Sequence, residues 1–227
     1  MSGPEPIAGA VLALETSTRS GSVALRPSHD APTVQRRLDA SASHGRDLVP
    51  ALDELVREAG LAPRDVGLVV VGRGPGSYTG LRVSAATALG LARATDAALF
   101  GVPSFEALAF EALQPGERGA VLRDAFGGAT YVAVHERDAD GDLSTRVPAA
   151  CVRVENTREH VGAVDVVLGE EAIARAVFGD DGPPVRSAPP SAASVLELGL
   201  VARAGEPDAS DVSPLYLRAF EAKVRAR

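Results

Sequence analysis

Tryptophan is absent from the 227-residue chain, and cysteine and methionine occur once each. The lone Cys151 excludes an internal disulfide framework and a cysteine-built zinc site, and a reducing cytoplasm is the expected setting. The four histidines, His29, His44, His135 and His160, are too far apart in sequence to form a zinc site from one short segment. Long apolar runs are also missing. Ile7 to Leu14 is too short to cross a bilayer and follows no positively charged stretch, so neither membrane insertion nor targeting is expected. With aromatics at only 4%, the core must be built from Ala, Val and Leu, which lets helices approach closely. Lys223 is the only lysine among 23 basic residues, and the formal charge is −7. That balance argues against a stand-alone nucleic-acid binder, because phosphate contacts need clustered positive charge. A partner can still supply that charge.

The chain nevertheless has ample material for a packed core, with 45% hydrophobic residues, enough for one large domain or two small lobes. Alternation and β-branched runs predict strands at Ala10–Glu15, Gly21–Leu25 and Thr33–Leu38, the last being the weakest. A helix over about Ser43–Ala59 follows, with Leu48, Leu52, Leu55 and Val56 as its apolar stripe, Pro50 bending it or delaying its start, and Gly60 ending it. The strand Leu68–Val71, a glycine-rich loop and the helix Leu81–Arg93 complete a β-β-β-α-β-α order, which implies a mixed sheet covered by helices. The second half repeats this loosely. Strands are expected at Ala97–Val102, Ala120–Arg123, Thr130–His135, Ser144–Val154 and Val164–Leu168, and helices at Ser104–Leu113, Glu170–Phe178 and Ala192–Ala204. Gly179–Pro190 reads as an irregular connection, and Leu215–Arg227 as a terminal helix or tail.

The loop Gly72-Arg73-Gly74-Pro75-Gly76-Ser77-Tyr78-Thr79-Gly80 is the most informative segment. It joins a buried strand to a helix start, whose unpaired amides suit an anion. Its spacing matches neither a P-loop nor the dinucleotide fingerprint, and its Ser77 lacks the offset of a nucleophile elbow. Two readings stand: an anion cradle, or a tight turn that exists for packing, in which Ser77 or Thr79 caps the helix. Glu15-Thr16-Ser17-Thr18 likewise suits a nucleotide phosphate or its metal, and equally an ordinary hydroxyl-rich turn. Asp124, at a strand end before Gly127-Gly128, is an acid in a cleft-like position without an identifiable base.

Taken together, Val11–Thr18 with Ser22–Leu25, Ser43-His44 with Leu48-Val49-Pro50, the loop Gly72–Arg82, Gly101–Ser104, Asp124-Ala125 before Tyr131, and Pro214–Arg218 closely resemble the TsaB (YeaZ) family along essentially the whole chain. The resemblance implies an α/β protein of the actin, sugar kinase and Hsp70-like (ASKHA) fold, with two ribonuclease H-like lobes of mixed sheets flanked by helices. The expected lobes are 1–103, joined by a C-terminal helix 214–227, and 104–213. The implied role is that of a non-catalytic scaffold in bacterial synthesis of tRNA threonylcarbamoyladenosine. Such a chain pairs with the catalytic TsaD, helps recruit the ATPase TsaE and tRNA, forms homodimers, and leaves ATP, metal and threonylcarbamoyl-adenylate to its partners.

Departures from the pattern carry information. Where TsaD-like proteins place a His-x-x-x-His metal pair, this chain has Ser104 and Leu108. The family's Asp-Thr-Ser becomes Glu15-Thr16-Ser17, and its Asp-Ala-Arg becomes Asp124-Ala125-Phe126. The resemblance implies no catalytic or metal residue and leaves only Glu15, Thr16, Ser17 and Asp124 as candidates for cofactor contact. It places the partner interface on the first two helices and the loop, at His44, Leu48, Leu52, Leu55, Arg73, Ser77, Tyr78, Thr79, Arg82, Ala85, Ala88 and Leu89. Alternatives within reach of the same fold are a glycoprotease-like metallopeptidase and a nucleotide-binding ATPase.

Overall fold

The computed structural model describes residues 8–39, 44–205 and 211–218. Strands β1 (Ala10–Glu15), β2 (Ser22–Arg26) and β3 (Val34–Arg37) form a meander, followed by α1 (His44–Glu58), β4 (Val66–Gly72), α2 (Tyr78–Thr95), β5 (Ala98–Val102) and α3 (Ser104–Ala112). The same succession then returns as β6 (Arg118–Phe126), β7 (Ala129–Arg137), β8 (Leu143–Arg153), α4 (Val154–Val161), β9 (Val166–Gly169), α5 (Glu171–Phe178), β10 (Val185–Arg186) and α6 (Ala192–Gly205). The first sheet has the order β3-β2-β1-β4-β5 and the second β10-β9-β6-β7-β8. Each pairs its meander antiparallel and its last two strands parallel, so the lobes are topological duplicates.

Side-chain alternation explains the layers. Along β1, Ala10, Leu12 and Leu14 face α1 and α2, whereas Val11 and Ala13 face α6, so both sides of the strand are buried. Helix α1 inserts Leu48, Leu52, Leu55 and Val56 into the first of these cores. It begins at His44 among the described residues and continues through the exposed Pro50, so the proline does not delay its start.

Two helices cross between lobes. After β5, α3 turns Ala107 toward the α6 side of the first sheet and Phe105, Leu108 and Ala109 toward the second sheet. After β10, α6 returns to the first sheet, where Ala192, Val195 and Leu196 are buried. Gly199 permits this approach, since a Cβ there would lie 2.5 Å from Val70 Cγ1. The expected second-lobe span of 104–213 thus includes a helix whose Ala192, Val195, Leu196 and Leu198 are buried against the first sheet.

Other expectations also change. Helix α4 and the short β10 were not expected from the sequence. Residues 211–218 contain no helix and run as an extended strap, while 219–227, including Lys223, lie outside the described residues.

Candidate functional site

Where the lobes face each other, the turn after β1 and the glycine loop form one wall of a cleft of about 760 Å³. The end of β6 forms the opposite wall, and residues 215–218 close one side.

The first wall is held by close backbone approach. The Glu15 side chain passes over Gly72, where a Cβ would lie 2.0 Å from its Oε2. Gly76 and Gly80 lie against the carbonyls of Ser17 and Thr16, at 2.2 and 2.1 Å from an added Cβ, so any side chain there would separate loop from turn. Cross-links complete the contact: Ser77 N donates to Ser17 O at 2.7 Å, and Thr16 Oγ1 donates to Gly80 O at 2.8 Å.

Glu15 is the bolt of this arrangement. It is 1% exposed, accepts from Ser104 Oγ at 2.6 Å and from Ser17 N at 2.6 Å, and Ser104 Oγ in turn accepts from Gly74 N at 3.0 Å. Burial raises its pKa above the ordinary carboxylate value, opposed by the hydrogen bonds from Ser104 and Ser17 and by the charge of Arg123. Its oxygens are thus committed to joining β1, the glycine loop and the start of α3. Thr16 is fully buried, and its hydroxyl is committed to Gly80 O. Of the four candidates, only Ser17 and Asp124 line the cleft. Asp124 turns one oxygen back to Phe126 N at 2.7 Å.

Four amides of the loop and helix start are similarly occupied. Gly74 N donates to Ser104 Oγ, Ser77 N to Ser17 O, Gly80 N to Ser77 Oγ at 3.2 Å and Leu81 N to Ser77 O at 2.9 Å. Ser77 is therefore the cap of α2, and these four donors already have protein acceptors. The tight-turn reading of the loop fits this geometry.

The residues expected at a partner surface divide into distinct groups. Leu48, Leu52, Leu55 and Ala88 are at most 2% exposed within the monomer's own core, so their assignment to an interface is corrected: their side chains already cover the first sheet. Ala85 is half-buried. Arg73 donates to Ser213 O at 2.9 Å and pairs with Asp211 at 2.5 Å, which commits it to the strap. Ser77, Tyr78 and Thr79 line the cleft. Arg82 donates to Tyr78 Oη at 2.8 Å, and Tyr78 lies 5.1 Å from Tyr216 between ring centroids. Leu89 remains 43% exposed on the outer face of α2, near Ala86 and Gly90, and α1 adds Val49 at 52%. The side chain of His44 lies outside the described residues.

On the opposite wall, sequence reasoning singled out Asp124 but not the arginines beside it. Arg123 is only 12% exposed, donates to Ala188 O at 2.6 Å and pairs with Glu170 at 3.3 Å. Arg218 donates to Ala125 O at 2.5 Å and Phe126 O at 2.8 Å, tying the strap to the second lobe. An arginine ending the apolar run Val121-Leu122 was the available signal for the first.

At the two positions of the expected histidine pair, Ser104 serves the Glu15 network and Leu108 is fully buried against the second sheet. Among the described residues, no group of three or more His, Cys, Asp or Glu is placed to hold a metal ion. No helix among them is long and apolar enough to cross a membrane.

A family model described as TsaD, tRNA N6-adenosine threonylcarbamoyltransferase, matches residues 38–159. The Haemophilus influenzae tRNA threonylcarbamoyladenosine biosynthesis protein TsaB is 36% identical over 104 residues, which are 46% of this chain and 43% of the relative. The Escherichia coli protein of the same name is 29% identical over 154 residues, 66% of this chain and 65% of the relative. The chain thus spans less than two thirds of the length of these curated relatives in the matched regions. In three dimensions it is similar to YeaZ from Pseudomonas aeruginosa, with a TM-score of 0.78 and 27% identity over 92% of this chain and all of the other. That likeness extends over both lobes and agrees with the ASKHA architecture of two mixed, helix-flanked sheets. By motif, fold and relatives, the chain belongs to the TsaB (YeaZ) family, within the range of the TsaD family model.

Proposed function

We propose that this chain is a non-catalytic subunit of a threonylcarbamoyladenosine-forming complex, pairing with a TsaD-type transferase and supporting its active conformation. The observation that carries this reading is the fate of the two positions where TsaD-like proteins have metal-binding histidines. Ser104 is spent on Glu15, and Leu108 is spent on packing. With the Gly74 and Gly80 amides also bonded within the chain, these polar groups serve architecture. ATP, metal and threonylcarbamoyl-adenylate belong on the partner subunits in this account, with TsaE and tRNA engaging the assembly. Its setting is the cytoplasm, where tRNA is modified.

The docking surface we assign is the outer face of α2, continued by α1. Leu89 is exposed there beside Ala86 and Gly90, and a Cβ at Gly90 would meet nothing within 4 Å. Glycine inside a helix costs about 1 kcal/mol relative to alanine, and nothing among the described residues requires it at this position. Small residues around one leucine allow another helix to approach closely. The same face can receive a second copy of this chain when TsaD is absent.

The isolated chain is expected to show no ATP turnover and no threonylcarbamoyl transfer above background. Robust turnover of either kind without TsaD, abolished by a substitution in the cleft, would contradict this reading and favour an ATPase.

A further inference from the structure

A second, smaller cavity of about 180 Å³ lies where β5 runs into α3, with α6 and the strap at its sides. Phe100 and Val102 from β5 and Leu198 and Ala202 from α6 supply its apolar walls. Its rim is preformed. Gly101 lets both Arg73 and the strap lie against β5, since a Cβ there would come within 2.3 Å of Asp211 O and 2.7 Å of Arg73 Cδ. Arg73 N donates to Val102 O at 2.8 Å and Leu215 N donates to Arg73 O at 2.8 Å, which fixes the backbone on both sides.

Among the described residues, three charged side chains line this cavity, and two of them cancel. Arg73 Nη2 pairs with Asp211 Oδ2 at 2.5 Å, which leaves Glu106. Glu106 is half-buried, and no hydrogen bond or ion pair from the described residues reaches its carboxylate. Burial raises its pKa, and no neighbouring donor or charge opposes that rise. Its place in the first turn of α3, whose N-cap Pro103 offers no side-chain bond, suits the helix dipole. The dipole favours an acid there whether enclosed or exposed, so it does not account for the enclosure. An ionised carboxylate held beside apolar walls is destabilising unless a cation meets it.

We propose that this cavity binds an ammonium group carried on a short alkyl stem, with the ammonium at Glu106 and the stem along Phe100, Leu198 and Ala202. Its volume falls below the roughly 300 Å³ at which small-molecule sites begin, and so suits one unbranched chain rather than a ring system. A single free carboxylate meets a compact ammonium more fully than a guanidinium, whose fork of donors needs several acceptors. A lysine side chain and a free alkylamine both present this chemistry, an apolar stem ending in a point charge. The inference concerns the isolated chain and does not rest on pairing with TsaD.

Fluorine NMR of the chain labelled with 4-fluorophenylalanine tests it directly. The sequence has six phenylalanines, and Phe100→Leu assigns the signal that reports on the cavity. Butylammonium carries both halves of the ligand, whereas butanol lacks the charge and inorganic ammonium lacks the stem. Butylammonium is expected to shift the Phe100 signal saturably at millimolar concentration, at least about tenfold more tightly than either control. Glu106→Gln should weaken that binding at least about tenfold while the chain stays folded, since its carboxylate has no bond among the described residues to lose. Ala202→Leu, which fills the cavity without changing its charge, should act in the same direction and decides the matter if the Gln variant misfolds. N-acetyl-lysine methylamide distinguishes the sources: binding as tight as butylammonium assigns the site to a lysine of another protein, and markedly weaker binding assigns it to a free amine. The proposal is overturned if butylammonium does not saturate, if butanol or inorganic ammonium binds as tightly, or if the folded Glu106→Gln variant binds like the wild type.

Discussion

Single residues in this chain show how one carboxylate can change its use while its surroundings keep their shape. Glu15 reaches past Gly72 to the Ser104 hydroxyl, so a group at the mouth of a potential nucleotide site becomes an internal tie. Because burial raises its pKa, the stability associated with this group is fully present below the unfolded value of about 4.5 and is lost as pH rises through the higher folded value. Glu15→Gln should remove that loss, so its stability relative to wild type should improve from pH 4.5 upward in urea unfolding; a constant difference would contradict the assignment. His135 has the opposite sign. It is 3% exposed, and burial lowers its pKa from 6.5 to about 4. Its contribution is present above pH 6.5 and is lost as pH falls through 4, amounting to about 3 kcal/mol. His135→Phe should flatten this acid limb, and an unchanged slope would show that other groups cause it.

At the scale of elements, α1 and α2 show what hydrophobic periodicity can and cannot decide. The stripe Leu48, Leu52, Leu55 and Val56 was legible as an amphipathic helix, and the core takes all four. Periodicity identifies an apolar face but not the surface that covers it, so the same leucines looked equally suited to a partner. Leu52→Asp should therefore cost at least about 3 kcal/mol and unfold much of the first lobe. Leu89→Asp should alter monomer stability by no more than about 0.5 kcal/mol, and Gly90→Ala should raise it by about 1 kcal/mol. Thermal melts of the three variants check this ranking, and a destabilised Leu89→Asp would place that residue in the core instead.

Elements that escaped the sequence did so for physical reasons. Helix α4, Val154-Glu155-Asn156-Thr157-Arg158-Glu159-His160-Val161, buries only Thr157 and Val161, too little apolar repetition to distinguish it from a loop. Strand β10 has two residues, and its existence depends on pairing with β9. The cleft was half legible. The glycine loop and the Glu15–Thr18 turn stood out by composition, whereas Arg123, Phe126 and Tyr216 reach the same site from distant parts of the chain, and only the fold brings them together.

For the whole molecule, duplication and exchange are the organising facts. Each half repeats the same strand order, and the helix that ends each half crosses to pack with the other. A linear division near residue 103 therefore describes the sheets but not the cores. The strap extends this exchange: Leu215 N donates to Arg73 O at 2.8 Å on one lobe, while Arg218 grips the β6–β7 turn on the other. The linkage ties together the two lobes, one of which carries α1 and α2, as the proposed supporting role requires. The most direct test is threonylcarbamoyl transfer to tRNA by the cognate TsaD and TsaE, with and without this chain. The account predicts activity that depends on adding the wild-type chain and falls sharply with Leu89→Asp. Equal activity without the chain, or full activity with Leu89→Asp, would contradict it.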